Sequence, residues 1–326
     1  MKKWLYVVVA LMICIMLAGC SPDWQETGVD YNNFRSMLEK CETKKGTYSL
    51  YSQDLEKYML YYRYIDKEGY IRSHLICQQE SCWHMTRECP AFYKHGSSLM
   101  GYDWKNRIYL LEKRDTTHDA AEGGTLYIWR IDPEKQVKEL YLEYFLDMNS
   151  EGHVRWQEVC MYDGKLYVYA SYGKENQSLL VTINLQNGEC QKSVPWEEKG
   201  QKIDLIGVDD EALYWQQGDN AIYRQLKDGR VELVYESDDR MSYGVLMADQ
   251  LYYIQKEQVF WYELETGEVE VIPDTPKVQV MGQYVEDSSQ IVMYVGRKVE
   301  NGTVNGRQYT GVAYYDPQSG QLIEEE

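Results

Sequence analysis

Asp163-Gly164-Lys165-Leu166-Tyr167-Val168, followed downstream by Asn184-Leu185-Gln186-Asn187-Gly188, contains the two patterns from which the rest of the chain can be read. The first is a polar turn running into an apolar-aromatic strand. It returns as Lys105-Asn106-Arg107-Ile108-Tyr109-Leu110, Asp210-Glu211-Ala212-Leu213-Tyr214-Trp215 and Ala248-Asp249-Gln250-Leu251-Tyr252-Tyr253. A looser copy is Ser289-Gln290-Ile291-Val292-Met293-Tyr294, and a worn first copy is Glu56-Lys57-Tyr58-Met59-Leu60-Tyr61. The second pattern sets a polar residue four positions before a glycine: Asn184 to Gly188, Gln225 to Gly229, Glu263 to Gly267 and Asp316 to Gly320, with Ile65 to Gly69 as its first copy. Glycine there suits a hairpin whose type I turn ends in one left-handed residue, because only glycine takes positive φ without steric cost. Asp132-Pro133-Glu134-Lys135-Gln136 occupies the second place without a glycine and must turn differently.

Strand and hairpin alternate six times, in units from under 40 to nearly 70 residues, which brackets the roughly 40 to 50 residues of a four-stranded propeller blade. One such unit cannot bury both faces; six around an axis can. The fold expected is therefore an all-β β-propeller of six blades over residues 46–326, with seven blades, a sandwich or a solenoid as the competing readings. Thirty-one tyrosines, nine tryptophans and only seven prolines agree with a strand-rich chain holding a large core. Neighbours in a strand face opposite ways, so Tyr61-Tyr62, Tyr252-Tyr253 and Tyr314-Tyr315 should each place one ring between blades.

The N-terminus reads as an export signal. Lys2 and Lys3 precede an apolar run from Trp4 to Met16, too short to span a bilayer, which ends in Leu17-Ala18-Gly19-Cys20. That ending resembles the bacterial lipoprotein box. By this resemblance residues 1–19 are cleaved, Cys20 carries the lipid (diacylglycerol, with palmitate as an acyl chain), and the chain sits on the extracytoplasmic face of the cell membrane. Residues 20–45 then form the tether, in which Phe34, Met37, Leu38 and Cys41 carry the spacing of a short helix. Losing residues 1–19 removes two lysines and no acid, making the chain more acidic than the −18 of the full sequence. Such charge argues against nucleic acid as a partner.

Cys77, Cys82, His84 and Cys89 stand as C-x4-C-x-H-x4-C, four soft donors directly after a predicted strand and expected between the first and second blades. Three thiolates and an imidazole suit a closed tetrahedral zinc site that orders a loop too small for its own core. Outside the cytoplasm, disulfides compete. Cys41, Cys77, Cys82, Cys89, Cys160 and Cys190 are even in number once Cys14 and Cys20 are set aside. Unpartnered thiols are the third reading.

Ile76-Cys77-Gln78-Gln79-Glu80-Ser81-Cys82-Trp83-His84, continuing to Cys89-Pro90-Ala91, together with Leu213-Tyr214-Trp215 and Trp261-Tyr262-Glu263-Leu264, resembles a family of exported lipoproteins of anaerobic Gram-positive bacteria. These carry a domain of unknown function similar to low-density-lipoprotein-receptor propellers. The resemblance covers roughly residues 45 to 326, and the receptor-type Tyr-Trp-Thr-Asp string is not intact. It implies fold and address rather than an activity.

Catalytic signatures are few. The five histidines form no H-E-x-x-H pair, Gly96 to Gly101 has one residue too many for a nucleophile elbow, and phosphate loops are absent. Asp209-Asp210 and Asp238-Asp239 read as solvated turns. The function expected is thus a non-enzymatic module binding protein or glycan near the membrane. The alternatives are a polysaccharide- or peptide-processing enzyme with its site in the propeller funnel, or a scaffold working with membrane proteins.

Overall fold

The structure, a computed structural model, describes residues 40–325 except 44–45, 55–56, 87, 95–96, 103–107, 115–123, 133–134, 147–153, 173–176, 197–201, 248–249, 257, 273–278, 286–290, 299–306 and 318. Residues 1–39 lie outside it, and with them Cys20, the signal and Phe34, Met37 and Leu38.

Six antiparallel sheets follow one another along the chain. Blade 1 holds β1 (Lys40–Thr43), β2 (Gly46–Asp54), β3 (Lys57–Ile65), β4 (Ile71–Leu75) and β5 (Phe92–Lys94); blade 2 holds β6 (Ser97–Tyr102), β7 (Ile108–Arg114), β8 (Gly124–Asp132) and β9 (Val137–Leu146). Blade 3 is β10 (Val154–Tyr162), β11 (Lys165–Tyr172), β12 (Gln177–Asn184) and β13 (Cys190–Ser193); blade 4 is β14 (Ile203–Val208), β15 (Ala212–Gln217), β16 (Ala221–Leu226) and β17 (Val231–Glu236). Blade 5 is β18 (Met241–Met247), β19 (Gln250–Gln255), β20 (Gln258–Glu263) and β21 (Val269–Val271); blade 6 is β22 (Gln279–Val285), β23 (Ile291–Lys298), β24 (Arg307–Asp316) and β25 (Gln321–Glu325). Blades 2 to 6 pair their strands in chain order, as do β1 to β4 of blade 1, whose β5 pairs with β3; β1 lies on β6, β10 on β14, β14 on β18 and β18 on β22. First strands are therefore innermost, as in a propeller. Among the described residues no helix is long and apolar enough to cross a membrane.

Alternation along the second strands builds the seams. Leu213 and Trp215 face blade 3, whereas Ala212 and Tyr214 face blade 5. Tyr253 packs toward blade 4 and Tyr252 toward blade 6, so both rings of that doublet are buried, one in each seam. Leu110 joins the seam with blade 1 while Tyr109 and Leu111 join that with blade 3. Fully burying each such side chain contributes roughly 1.5–3 kcal/mol, and the same strand supplies two seams at once.

In blades 2 to 6 the first and second strands slip register, at Leu99/Gly101, Trp156/Val159, Leu205/Gly207, Ser242/Val245 and Val280/Gly282. Such bulges bend the inner strand and increase its twist. In blade 5 the bulge carries Tyr243 at φ 54, and a Cβ on the adjoining Gly244 would meet Ile206 of blade 4 at 3.0 Å.

The hairpin glycines behave as the turn demands. Gly69, Gly188, Gly229, Gly267 and Gly320 all have positive φ, and in the second blade Gln136 takes that conformation at φ 56. A non-glycine residue held there costs on the order of 1–3 kcal/mol.

Three boundaries differ from expectation. Among the described residues pairing begins at Lys40, so the expected start at residue 46, the first of β2, leaves out β1, and Cys41 is a strand residue opposite Tyr48 rather than part of a helix. Tyr58 to Tyr61 lie in β3, the third strand; the second strand of blade 1 is β2, entered from Lys44-Lys45-Gly46. The cysteine-histidine loop does not follow blade 1. It interrupts that blade's outer strand, because β4 pairs with the later half of β3 and β5 with the earlier half, in one line.

Candidate metal centre

Leu60, in the middle of β3, marks where the outer strand opens. Its carbonyl accepts from Ile76 N at 3.2 Å, and its own N–H donates to Ala91 O at 2.9 Å, so the chain leaves and re-enters at one residue. Between those points two tight turns each end on a cysteine. Cys82 N donates to Gln79 O at 3.0 Å, and Cys89 N donates to Thr86 O at 3.1 Å. His84 sits between them with φ 52.

These turns bring the four sequence-predicted donors together. The Sγ atoms of Cys77, Cys82 and Cys89 and a ring nitrogen of His84 all lie within 4.8 Å of one another, and His84 Nδ1 is 3.4 Å from Cys89 Sγ. A tetrahedral ion with metal–sulfur bonds of about 2.3 Å and metal–nitrogen bonds of about 2.0 Å separates its donors by about 3.5–3.8 Å. The residues present fit such an ion, and the cluster can hold a metal. Cys77 and Cys89 are buried against Met59 and Ala91, whereas Cys82 is half-buried. An N–H at His84 directed to Cys82 holds that thiol below its ordinary range, while burial pushes the Cys89 thiol up to about 12. Cys160 and Cys190 lie away from the cluster, Cys160 in the seam of blades 3 and 4 and Cys190 beside that of blades 2 and 3; Cys77, Cys82, Cys89, Cys160 and Cys190 form no disulfide with one another.

Two large apolar side chains of the loop point into solvent. Trp83 is 86% exposed and Met85 66% exposed, one on each side of His84. Beneath it, the start of blade 2's outer strand meets both ends of the loop. Gln136 Oε1 accepts from Gln78 N at 3.0 Å, and Lys138 Nζ donates to Phe92 O at 3.0 Å. Lys138 also lies 4.2 Å from the Tyr93 ring centroid and 4.4 Å from that of Trp129. Neither Gln136 nor Lys138 was marked by the cysteine spacing. The available signal was the missing glycine at 136. Elsewhere the aspartate pairs are turns: Asp209 Oδ1 accepts from Glu211 N at 2.7 Å and Ala212 N at 2.8 Å, and Asp239 pairs with Lys256 at 2.6 Å.

No protein-family model matches the chain, and no curated protein matches it in sequence. Solved structures do match. An oligogalacturonate lyase in complex with manganese superposes with a TM-score of 0.50 and 11% identity, covering 90% of this chain and 85% of that one. An oligogalacturonate lyase from Vibrio parahaemolyticus gives 0.48 and 12% over 92% and 82%, and a prolyl endopeptidase 0.49 and 10% over 93% of this chain and 50% of that one. At such identity the likeness speaks to fold alone. The chain is a β-propeller, as the resemblance implied, while the lipoprotein family behind that resemblance is matched by no family model.

Proposed function

We propose that this chain is a lipid-anchored, extracytoplasmic propeller that binds a protein or glycan without transforming it, and that one zinc ion fixes the loop 77–90 as its contact tip. The exposure of Trp83 and Met85 beside a metal-ligating histidine carries this reading. Two large apolar side chains held side by side on a metal-ordered loop would offer a preformed contact, and tryptophan is enriched among residues that dominate binding energy. Three thiolates and an imidazole form a complete tetrahedral set, leaving no position for a reactive water, so the ion's role is structural. Soft sulfur donors favour zinc over manganese, which prefers oxygen ligands. The polysaccharide-processing alternative rests on the fold shared with an oligogalacturonate lyase and on no side chain of this centre. The lipid on Cys20 is inferred from the sequence, two acyl chains giving stable anchoring where one does not.

The lipidated chain, purified in detergent, tests the reading. Expected are one zinc per chain, capture of a ligand from an envelope extract, loss of that capture in Trp83→Ala, and no cleavage of oligogalacturonate. Absence of zinc with all six remaining cysteines reactive, equal capture by Trp83→Ala, or turnover of the oligosaccharide overturns it.

A further inference from the structure

The metal loop belongs to blade 1, but the side chains that fix its ends come from blade 2. We propose that Gln136 and Lys138 are positioning residues of the Cys77/Cys82/His84/Cys89 centre, so that metal affinity is set at the seam between the two blades; this rests on the metal reading above. Gln136 occupies the turn position that glycine takes in the other five blades, and does so at φ 56. A glycine would fit the backbone and could not make the contact that Gln136 makes, the 3.0 Å bond from Gln78 N to its Oε1. Gln78 directly follows the buried ligand Cys77. Two residues beyond Gln136, Lys138 reaches the other end of the loop through Phe92 O and the face of Tyr93. The Tyr93 hydroxyl in turn donates at 2.6 Å to the carbonyl of Pro90, the neighbour of the second buried ligand, Cys89. One short stretch of blade 2 thus grips the chain beside both buried sulfurs. Groups that orient ligands without touching the ion commonly alter metal affinity by roughly 10- to 100-fold.

The test is a zinc competition titration of the full chain in detergent, for the wild type, Q136G, Q136E and K138M, with the melting temperature of each metal-free form. Q136G should bind zinc roughly 10- to 100-fold more weakly while its metal-free form melts at the same temperature or higher, since glycine suits positive φ. Q136E, whose carboxylate can still accept from Gln78 N, should stay near wild type, and K138M should bind more weakly. A residue that merely builds a turn would leave zinc affinity unchanged in Q136G. Wild-type affinity in both Q136G and K138M therefore overturns the proposal; a wild type that binds no zinc removes the metal reading itself.

Discussion

Blades 1 and 4 share one four-strand plan and secure their outer edges in different ways. In blade 4 every residue of β14 and β15 is buried, two apolar seams clamp the sheet, and β17 adds to its pairing with β16 the packing of Val234 and Tyr235 on the seam with blade 5 and surface ion pairs such as Arg224 with Glu232 at 2.8 Å. In blade 1 the outer strand is opened opposite Leu60, and the described inserted residues bury only Cys77, Cys89, Pro90 and Ala91. A strand pressed between seams is ordered by the core behind it. A segment that leaves the sheet must find order elsewhere, and here four soft donors meet where apolar side chains are scarce.

The largest test of that contrast is removal of a buried ligand. Structural zinc binding is coupled to folding with an apparent free energy of about 10–16 kcal/mol. Cys89→Ser should abolish metal binding and open β4 and β5 to amide hydrogen exchange while β14 to β17 stay protected. Uniform loss of protection in both blades would show that they are not independent. Next, Trp215→Ala removes a fully buried ring from the seam of blades 3 and 4, at an expected 3–5 kcal/mol. Denaturant unfolding should register this loss, with zinc stoichiometry unchanged.

Alkali should act on the seams as well. Burial raises the Tyr169 hydroxyl to about 12, whereas an unfolded tyrosine titrates near 10. The folded state therefore holds its proton longer, so this contribution is intact below pH 10 and is lost as pH rises toward 12. Phenolate absorbance that tracks unfolding across that window is the expected result; free titration in the folded chain at pH 10 would contradict it. The smallest effect concerns the turns. Gly229 has φ 87 and open space around it, so Gly229→Ala should cost about 1 kcal/mol through backbone strain alone.

The repeat was legible where backbone chemistry allows one solution. Positive φ selects glycine at 188, 229, 267 and 320, and alternation sends Leu213 and Tyr214 to opposite faces, so strand and turn could be read without neighbours. Gln136 was opaque because its reason lies in blade 1, at Gln78. The first blade reads one strand late because Tyr58 to Tyr61 are as apolar and aromatic as the second strands elsewhere, while Thr47, Ser49 and Ser52 dilute that character in β2. The four donors were visible as a spacing. Their insertion within a strand depends on β3 pairing with two separated segments, which no local pattern encodes.

Ile76 and Ala91 both bond to Leu60, so the residues between them begin and end at a single rung of the ladder. Excised and replaced by a direct join, they would leave a plain outer strand paired along β3, at the cost of the Gln78 to Gln136 bond and the cover over Met59. The loop is in that sense a cassette, and other loops closed by the same two backbone bonds could be transplanted into its socket without rebuilding the scaffold that carries them.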